Sequence, residues 1–193
     1  MRKLKLQIQT SLDGFAARPN GEGDFLFLSG KNDPEALQQV IDFNVELASS
    51  SDTLLVGRKM AAPGFFKHWE NVADNLPDNP WHQMARLIVD LRKIVFSRNE
   101  ATLLGSNHEV ENGDLATVVQ ALKEQPGKDI LVYGGADFVS SLISLNLIDE
   151  YYIIICPVAI GAGLSIFKEQ KTLNLESSIA FKHGKILNKY VPV

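Results

Sequence analysis

Three short stretches place glycine, arginine or serine where an apolar run ends. They are Gly57-Arg58-Lys59 in LLVGRKM, Phe96-Ser97-Arg98 in KIVFSR, and Gly134-Gly135-Ala136-Asp137 in ILVYGGAD. Glycine leaves backbone amides uncovered, and a guanidinium grips a phosphate monoester with paired N–H donors. A helix starting at such a point adds N–H groups suited to a pyrophosphate. Taken singly, each stretch has an ordinary explanation. Gly57 turns a chain, Arg58 is a solvated charge, Ser97-Arg98 leaves a strand for water, and Gly134-Gly135 lets a helix pack closely on a strand. Taken together they form the set that a dinucleotide needs: bare main chain, a helix start and two arginines.

The elements around these stretches decide whether they can meet. Residues 3 to 10 read as a first strand, since Leu4, Leu6 and Ile8 alternate with polar residues. The following SLDGFAARPNGEGD is a loop. Asp33-Pro34-Glu35 starts a helix running to about Ser49, with an acid at the N-cap and proline in the first turn. DTLLV is a short strand closed by Gly57. FFKHWENVADNLPDNP reads as mostly irregular, and PWHQMARLIVD as a short helix. KIVFSR and HEVEN supply two more strands, and Asp114 caps a helix bearing Leu115, Val118, Val119 and Leu122. ILVY, two glycines and a helix from Asp137 to Leu145 follow. DEYYIIICPVAIG is a long strand with too few polar residues for a wet face, so it lies centrally or at an interface. IAFKHGKILNKYVPV reads as two strands around His183-Gly184. Alternating strands and helices that end in paired strands give one α/β domain over residues 1–193, with a mostly parallel sheet and an antiparallel end. In such sheets ligands bind beyond the carboxyl ends of the strands, where all three stretches fall.

Other chemistries lack their residues. No G-x-G-x-x-G follows the first strand, and GAGLSI at Gly161 has Ile166 at the third glycine position, so it reads as a loop. His68, His82, His108 and His183 are scattered without ligand spacing, so no metal site is assigned. One cysteine, Cys156, excludes an internal disulfide and reads as a core thiol. A net charge of −4 argues against nucleic acid, which needs a basic face. No apolar run is long enough to span a bilayer, and the N-terminus alternates where a signal peptide would be continuously apolar. A cytoplasmic location is the expectation.

The ordered series TSLDGFAA, LLVGRKM, KIVFSR, ILVYGGADFVSSLI and LIDEYYIIICPVAIGAG followed by LSIF resembles the dihydrofolate reductase-like superfamily. The closest branch is similar to the reductase domain of bacterial riboflavin biosynthesis enzymes. The resemblance covers nearly the whole chain. It implies a three-layer α-β-α fold with a mixed, mostly parallel sheet of about eight strands and a C-terminal antiparallel hairpin. It also implies NADPH as hydride donor. On this resemblance Gly57, Arg58 and Lys59 start a helix holding the pyrophosphate and the adenosine phosphate. Ser97 and Arg98 take the 2′-phosphate and adenine end, lined by Phe96. Gly134, Gly135, Ala136 and Asp137 approach the pyrophosphate and nicotinamide, with a cis peptide joining the two glycines. Ala16 and Ala17 meet the nicotinamide amide.

The substrate side departs from folate enzymes. Ile154 or Ile155 stands near the place of their threonine, and the first helix offers Asp42 and Glu46 in ambiguous register for their carboxylate. Asp13 fits either a turn former or a residue ordering the active-site loop, and Asp24 either faces substrate or solvates its loop. Asp13 and Asp42 are the candidate catalytic acids, and Asp24, Phe25 and Ile155 the candidate substrate contacts. Phe25, Phe65, Trp69 and Trp81 suit an aromatic pocket or plain core packing. The reading is an NADPH-dependent reductase of a small heterocyclic, pterin- or pyrimidine-like substrate. The alternative is a noncatalytic NADPH-binding or sensing protein, favoured by the lack of an assignable proton donor. A homodimer is expected from the apolar YYIIICPVAI strand.

Overall fold

A computed structural model describes residues 1–27, 34–61, 64–98 and 108–193. Its centre is an eight-stranded sheet. In chain order the strands of this sheet are β1 (Leu4–Ser11), β3 (Ser51–Gly57), β4 (Arg92–Phe96), β5 (His108–Glu111), β6 (Asp129–Val132), β7 (Glu150–Cys156), β9 (Leu173–Ala180) and β10 (Ile186–Pro192). Their spatial order is β5-β4-β3-β6-β1-β7-β10-β9. The strands from β5 through β7 run parallel, and β10 turns back antiparallel on β7 with β9 beyond it. Two short strands, β2 (Phe15–Ala17) and β8 (Leu164–Ser165), pair separately above the end of β1.

Helices cover both faces, which gives the three-layer α/β fold. On one face α5 (Leu115–Glu124) and α6 (Ala136–Ser144) bury Val119, Leu122, Val139 and Leu142 against Leu4, Leu6, Ile130 and Val132. On the other, α1 (Pro34–Ser49), α3 (Phe65–Asn75) and α4 (His82–Asp90) bury Leu47, Trp69, Val72 and Ile88 against Leu54, Val56 and Leu131. The four-residue α2 (Arg58–Ala61) continues directly from β3. Helix α5 starts as its sequence requires: the Asp114 carboxylate accepts from the Thr117 amide at 2.9 Å and from its hydroxyl at 2.8 Å. Helix α1 begins at Pro34, while its proposed cap Asp33 lies outside the described residues.

Some elements differ from the sequence-based expectation. Phe65–Asn75 is a regular helix where an irregular segment is expected. Its buried Phe66, Trp69, Val72 and Ala73 recur at helical spacing, a stripe hidden among exposed Lys, Glu and Asp. Strand β7 stops at Cys156, before Pro157, which lacks the N–H that a ladder needs. Strand β9 begins at Leu173, earlier than the run at Ile179 suggests.

The YYIIICPVAI run has its explanation inside the molecule. Strand β7 lies between β1 and β10, so its Tyr151, Ile153, Ile154 and Cys156 are buried by the chain itself. That removes the reason for expecting a dimer through this strand. Cys156 is buried, and burial pushes its thiol pKa up, as suits a core thiol. Among the described residues, no helix is long and apolar enough to cross a membrane.

Candidate active site

The parallel strands all end on one side of the sheet. Register places Gly57 opposite Phe96, and Leu55 opposite Val132. The tips of β3, β4 and β6 are therefore adjacent. After β6, Gly134 and Gly135 adopt φ of +120° and +86°, values that L side chains rarely take. These two residues turn the chain from strand into α6. The structure has no cis peptide bond among the described residues, so the expected cis Gly134–Gly135 link is corrected to trans. Successive positive-φ glycines reverse the chain without it, and the trans form avoids a cost of about 3 kcal/mol.

The approach of β3 to α6 is close. A Cβ on Gly57 would stand 2.6 Å from Phe138 Cβ, and one on Gly135 would stand 3.9 Å from Gly57 Cα. Phe138 in turn stacks on Phe96, ring centroids 5.3 Å apart. The first amides of α6 have no carbonyl one turn back and open at this junction.

One cleft of about 1980 Å³ runs across these tips. Ala16, Ala17, Gly57, Arg58, Lys59, Phe96, Ser97, Arg98, Gly134, Gly135, Ala136 and Asp137 all line it. The candidate cofactor residues, drawn from four separate stretches, thus share a single groove. Lys59 Nζ and Asp137 Oδ2 pair at 2.7 Å, and the ammonium holds the Asp137 carboxyl below the usual carboxylate range. Both side chains are mostly exposed, so the pair adds little stability. Its effect is to cancel a negative charge at the start of α6.

The far half of the cleft is aromatic and amide-rich. Phe65, Trp69 and Trp81 pack edge to face along it, and Phe65 also meets Tyr133 at 6.0 Å. Tyr133 donates to Asn44 Oδ1 at 3.4 Å, and burial pushes its pKa up to about 12. Gln7 and Gln9, from the central strand β1, also line this half. Lys185, at the start of β10, donates to Gln9 Oε1 at 3.0 Å and to the Leu26 carbonyl at 2.8 Å. It is only 6% exposed, and burial lowers its pKa.

The acids and substrate contacts expected from sequence stand elsewhere. Asp42 is exposed on the outer face of α1, where it accepts from Gln38 at 2.7 Å, and it is corrected from catalytic candidate to solvated helix residue. Asp24 is held by Arg18 through two hydrogen bonds of 2.5 and 3.1 Å and does not line the cleft. Phe25 is fully buried beneath that Arg18 guanidinium, out of a substrate's reach. Ile155 packs into the core on the α5–α6 side, because its position in β7 turns it away from the cleft. Asp13 accepts from Ser11 Oγ at 2.5 Å and from the amides of Ile160 and Gly161 at 3.1 and 2.7 Å. It is outside the cleft lining and ties the β1–β2 turn to the loop before β8.

Gln7, Gln9, Tyr133, His183 and Lys185 are cleft residues that the sequence reading missed, as are Glu111 through Leu115. The latter follow β5, another parallel strand, so the strand-end rule contained the signal for them. Nothing local signals Lys185, which reaches Gln9 only because β10 folds back on β7.

The arrangement agrees with the comparisons. The model of the RibD C-terminal domain matches residues 2–187. The chain belongs to the RibD C-terminal domain family. It is 30% identical over 190 residues to the uncharacterized protein YyaP of Bacillus subtilis, spanning 96% of this chain and 92% of that protein. A Shewanella sp. PV-4 protein named for riboflavin biosynthesis superimposes with a TM-score of 0.72 at 19% identity, over 99% of this chain and 98% of that one. A Thermotoga maritima diaminohydroxyphosphoribosylaminopyrimidine deaminase/5-amino-6-(5-phosphoribosylamino)uracil reductase gives 0.64 at 17% identity. This chain is covered in full in that match and spans 57% of the Thermotoga chain. Likeness at that identity shows the family's fold.

Two outcomes follow from the geometry. Gly57→Ala drives a methyl into Phe138 Cβ, which has no rotamer to escape by, so β3 and α6 separate. Urea unfolding of that variant should show a loss of about 1–3 kcal/mol. The Asp13 carboxyl lies below its ordinary range because the Ser11 hydroxyl and the Gly161 amide donate to it. A depressed folded pKa gives stability that is present above the unfolded pKa and lost as pH falls through the folded one. Asp13→Asn should therefore lower the Tm at neutral pH, with the gap to the parent closing below about pH 4. A gap that stays constant through that acid range would show that the carboxylate charge is irrelevant there.

Proposed function

We propose that the protein is an NADPH-dependent reductase of a small heterocyclic substrate. The observation that carries this reading is the single groove shared by bare main chain at Gly134-Gly135 and by Ser97 and Arg98. The fit rests on the cradle itself: Gly134 lines the groove at positive φ, and a side chain there would meet Met60 Sδ at 3.0 Å. The α6 amides, with Gly57 and Arg58, suit a pyrophosphate, and Ser97 with Arg98 suit a 2′-phosphate. Ala16 and Ala17 in β2 present small side chains toward the nicotinamide end of the groove. NADPH, when bound, supplies the hydride, while the chain orients the acceptor and delivers a proton.

The name of the Thermotoga neighbour includes a uracil reductase, which supports a pyrimidine-type acceptor here. The aromatic wall of Phe65, Trp69 and Trp81 suits a planar ring. A noncatalytic cofactor-binding protein is the reading that a missing proton donor would favour. Lys185, which lines the cleft and donates to Gln9 and the Leu26 carbonyl, is the residue we assign to that place.

Arg98→Ala should weaken NADPH about 10- to 100-fold, the worth of a charge-assisted hydrogen bond, and leave NADH nearly unchanged. Calorimetric titration of both nucleotides checks this. Equal losses for the two would remove the phosphate assignment, and no NADPH binding to the parent protein would remove the reductase reading.

A further inference from the structure

The aromatic half of the cleft carries donors that lack acceptors. Gln7 is 3% exposed and Trp69 is 9% exposed, and both line the cleft. Gln7 Nε2 and Trp69 Nε1 are each buried without a hydrogen-bond partner. A buried polar N–H left unpaired costs about 1–3 kcal/mol, so such groups are rare in a fold unless something outside it completes them. Both lie on the face of the sheet where Gln7 stands opposite Tyr152 and Trp69 packs near Tyr133 through Phe65.

Lys185 adds a third donor. Its two partners, Gln9 Oε1 and the Leu26 carbonyl, are neutral, and an ammonium has three hydrogens. Among the described residues no carboxylate pairs with it, and the titratable groups near it are Cys156, whose thiol pKa burial pushes up, and His183, whose Nδ1 accepts from the Lys185 amide at 3.4 Å. A buried cation without a counter-charge favours a ligand oxygen that holds or gains negative charge. The same half contains no arginine among the described residues: Arg58 and Arg98 line the cofactor half, and Arg18 is taken by Asp24. Arginine's fork is the usual holder of a phosphate group.

We infer that this half of the cleft binds a flat, largely apolar ring compound that carries at least two carbonyl-type acceptor oxygens and no phosphate. The inference rests on the reading of the cleft as an active site, and it narrows the acceptor class. The ring lies against Trp69, Trp81 and Phe65, and its oxygens receive Gln7, Trp69 and Lys185. Both orphan nitrogens are covered by neighbouring side chains, so an acceptor reaches them after a small side-chain adjustment, for which the Gln7 amide has three rotatable bonds. Among the described residues this half offers no arginine fork for the phosphoribosyl group named for the Thermotoga neighbour's substrate, and the Lys185 ammonium is buried and already donates to Gln9 and the Leu26 carbonyl.

Calorimetric titration without NADPH tests this with two probes: menadione, which has two carbonyl oxygens and no donor, and uridine 5′-monophosphate. Menadione should bind saturably and uridine 5′-monophosphate at least about tenfold more weakly. Gln7→Leu and Trp69→Phe should each weaken menadione about 3- to 10-fold, the value of one neutral hydrogen bond. Gln7→Leu should not lower the Tm, because it removes an unpaired buried donor at similar volume, whereas Trp69→Phe also empties core space and should lower the Tm on that account. The inference is overturned if menadione fails to bind, if the nucleotide binds as tightly, or if neither variant weakens menadione. It is also overturned if Gln7→Leu lowers the Tm in proportion to the affinity lost. NADPH binding, measured separately by thermal shift, reports on the reductase reading alone.

Discussion

The contact between the end of β3 and the first turn of α6 is the constraint on which the cleft depends. A Cβ on Gly57 would stand 2.6 Å from Phe138 Cβ, so that position admits no side chain, while one on Gly135 would meet Gly57 at an ordinary contact distance of 3.9 Å. Because the two backbones touch, Phe138 reaches across to stack on Phe96, and the tips of β3, β4 and β6 become one surface. The positive φ of Gly134 and Gly135 is the other half of the same constraint. A Cβ at Gly134 would press on Met60 Sδ at 3.0 Å, and at both positions an L side chain would be strained by the positive φ.

A second theme is polar chemistry on a buried strand. Strand β1 alternates Leu4, Leu6 and Ile8 with Lys5, Gln7 and Gln9, the pattern of a strand with one wet face. Its neighbours are β6 and β7, and helices cover both faces, so the polar side is buried too. Each polar residue therefore needs a partner. Lys5 finds Asp129 at 2.8 Å and Ser50 at 3.0 Å, and Gln9 finds Lys185. Gln7 is the member left with an orphan nitrogen, and it lines the cleft.

The parallel order and the groove shared by the strand tips were legible because they follow from local rules. Strand ends carry ligands in open α/β sheets, and Gly57, Arg58, Ser97, Arg98, Gly134 and Gly135 stand immediately after strands. The candidate acids were not legible. Asp42, Asp24 and Asp13 were chosen by residue type, and an acid in a loop or on a helix is more often a cap, a clamp or a wet face. Asp24 clamps Arg18, and Asp13 gathers two amides of a distant loop. The helix Phe65–Asn75 was missed because its apolar stripe is narrow and its remaining residues are strongly polar.

By itself the sequence determined the order of the elements, the bare backbone at the strand tips and the positive charge beside it. These depend on residues close together in the chain, where steric and hydrogen-bonding preferences act directly. Only the tertiary structure decided which side chains share the aromatic part of the cleft. Gln7, Trp69, Tyr133 and Lys185 come from a first strand, a helix, a strand end and a late hairpin. Their meeting depends on the pairing of β10 with β7 and of β1 with both β6 and β7. Strand pairing across more than a hundred residues is set by burial of the whole sheet, and no local pattern encodes it.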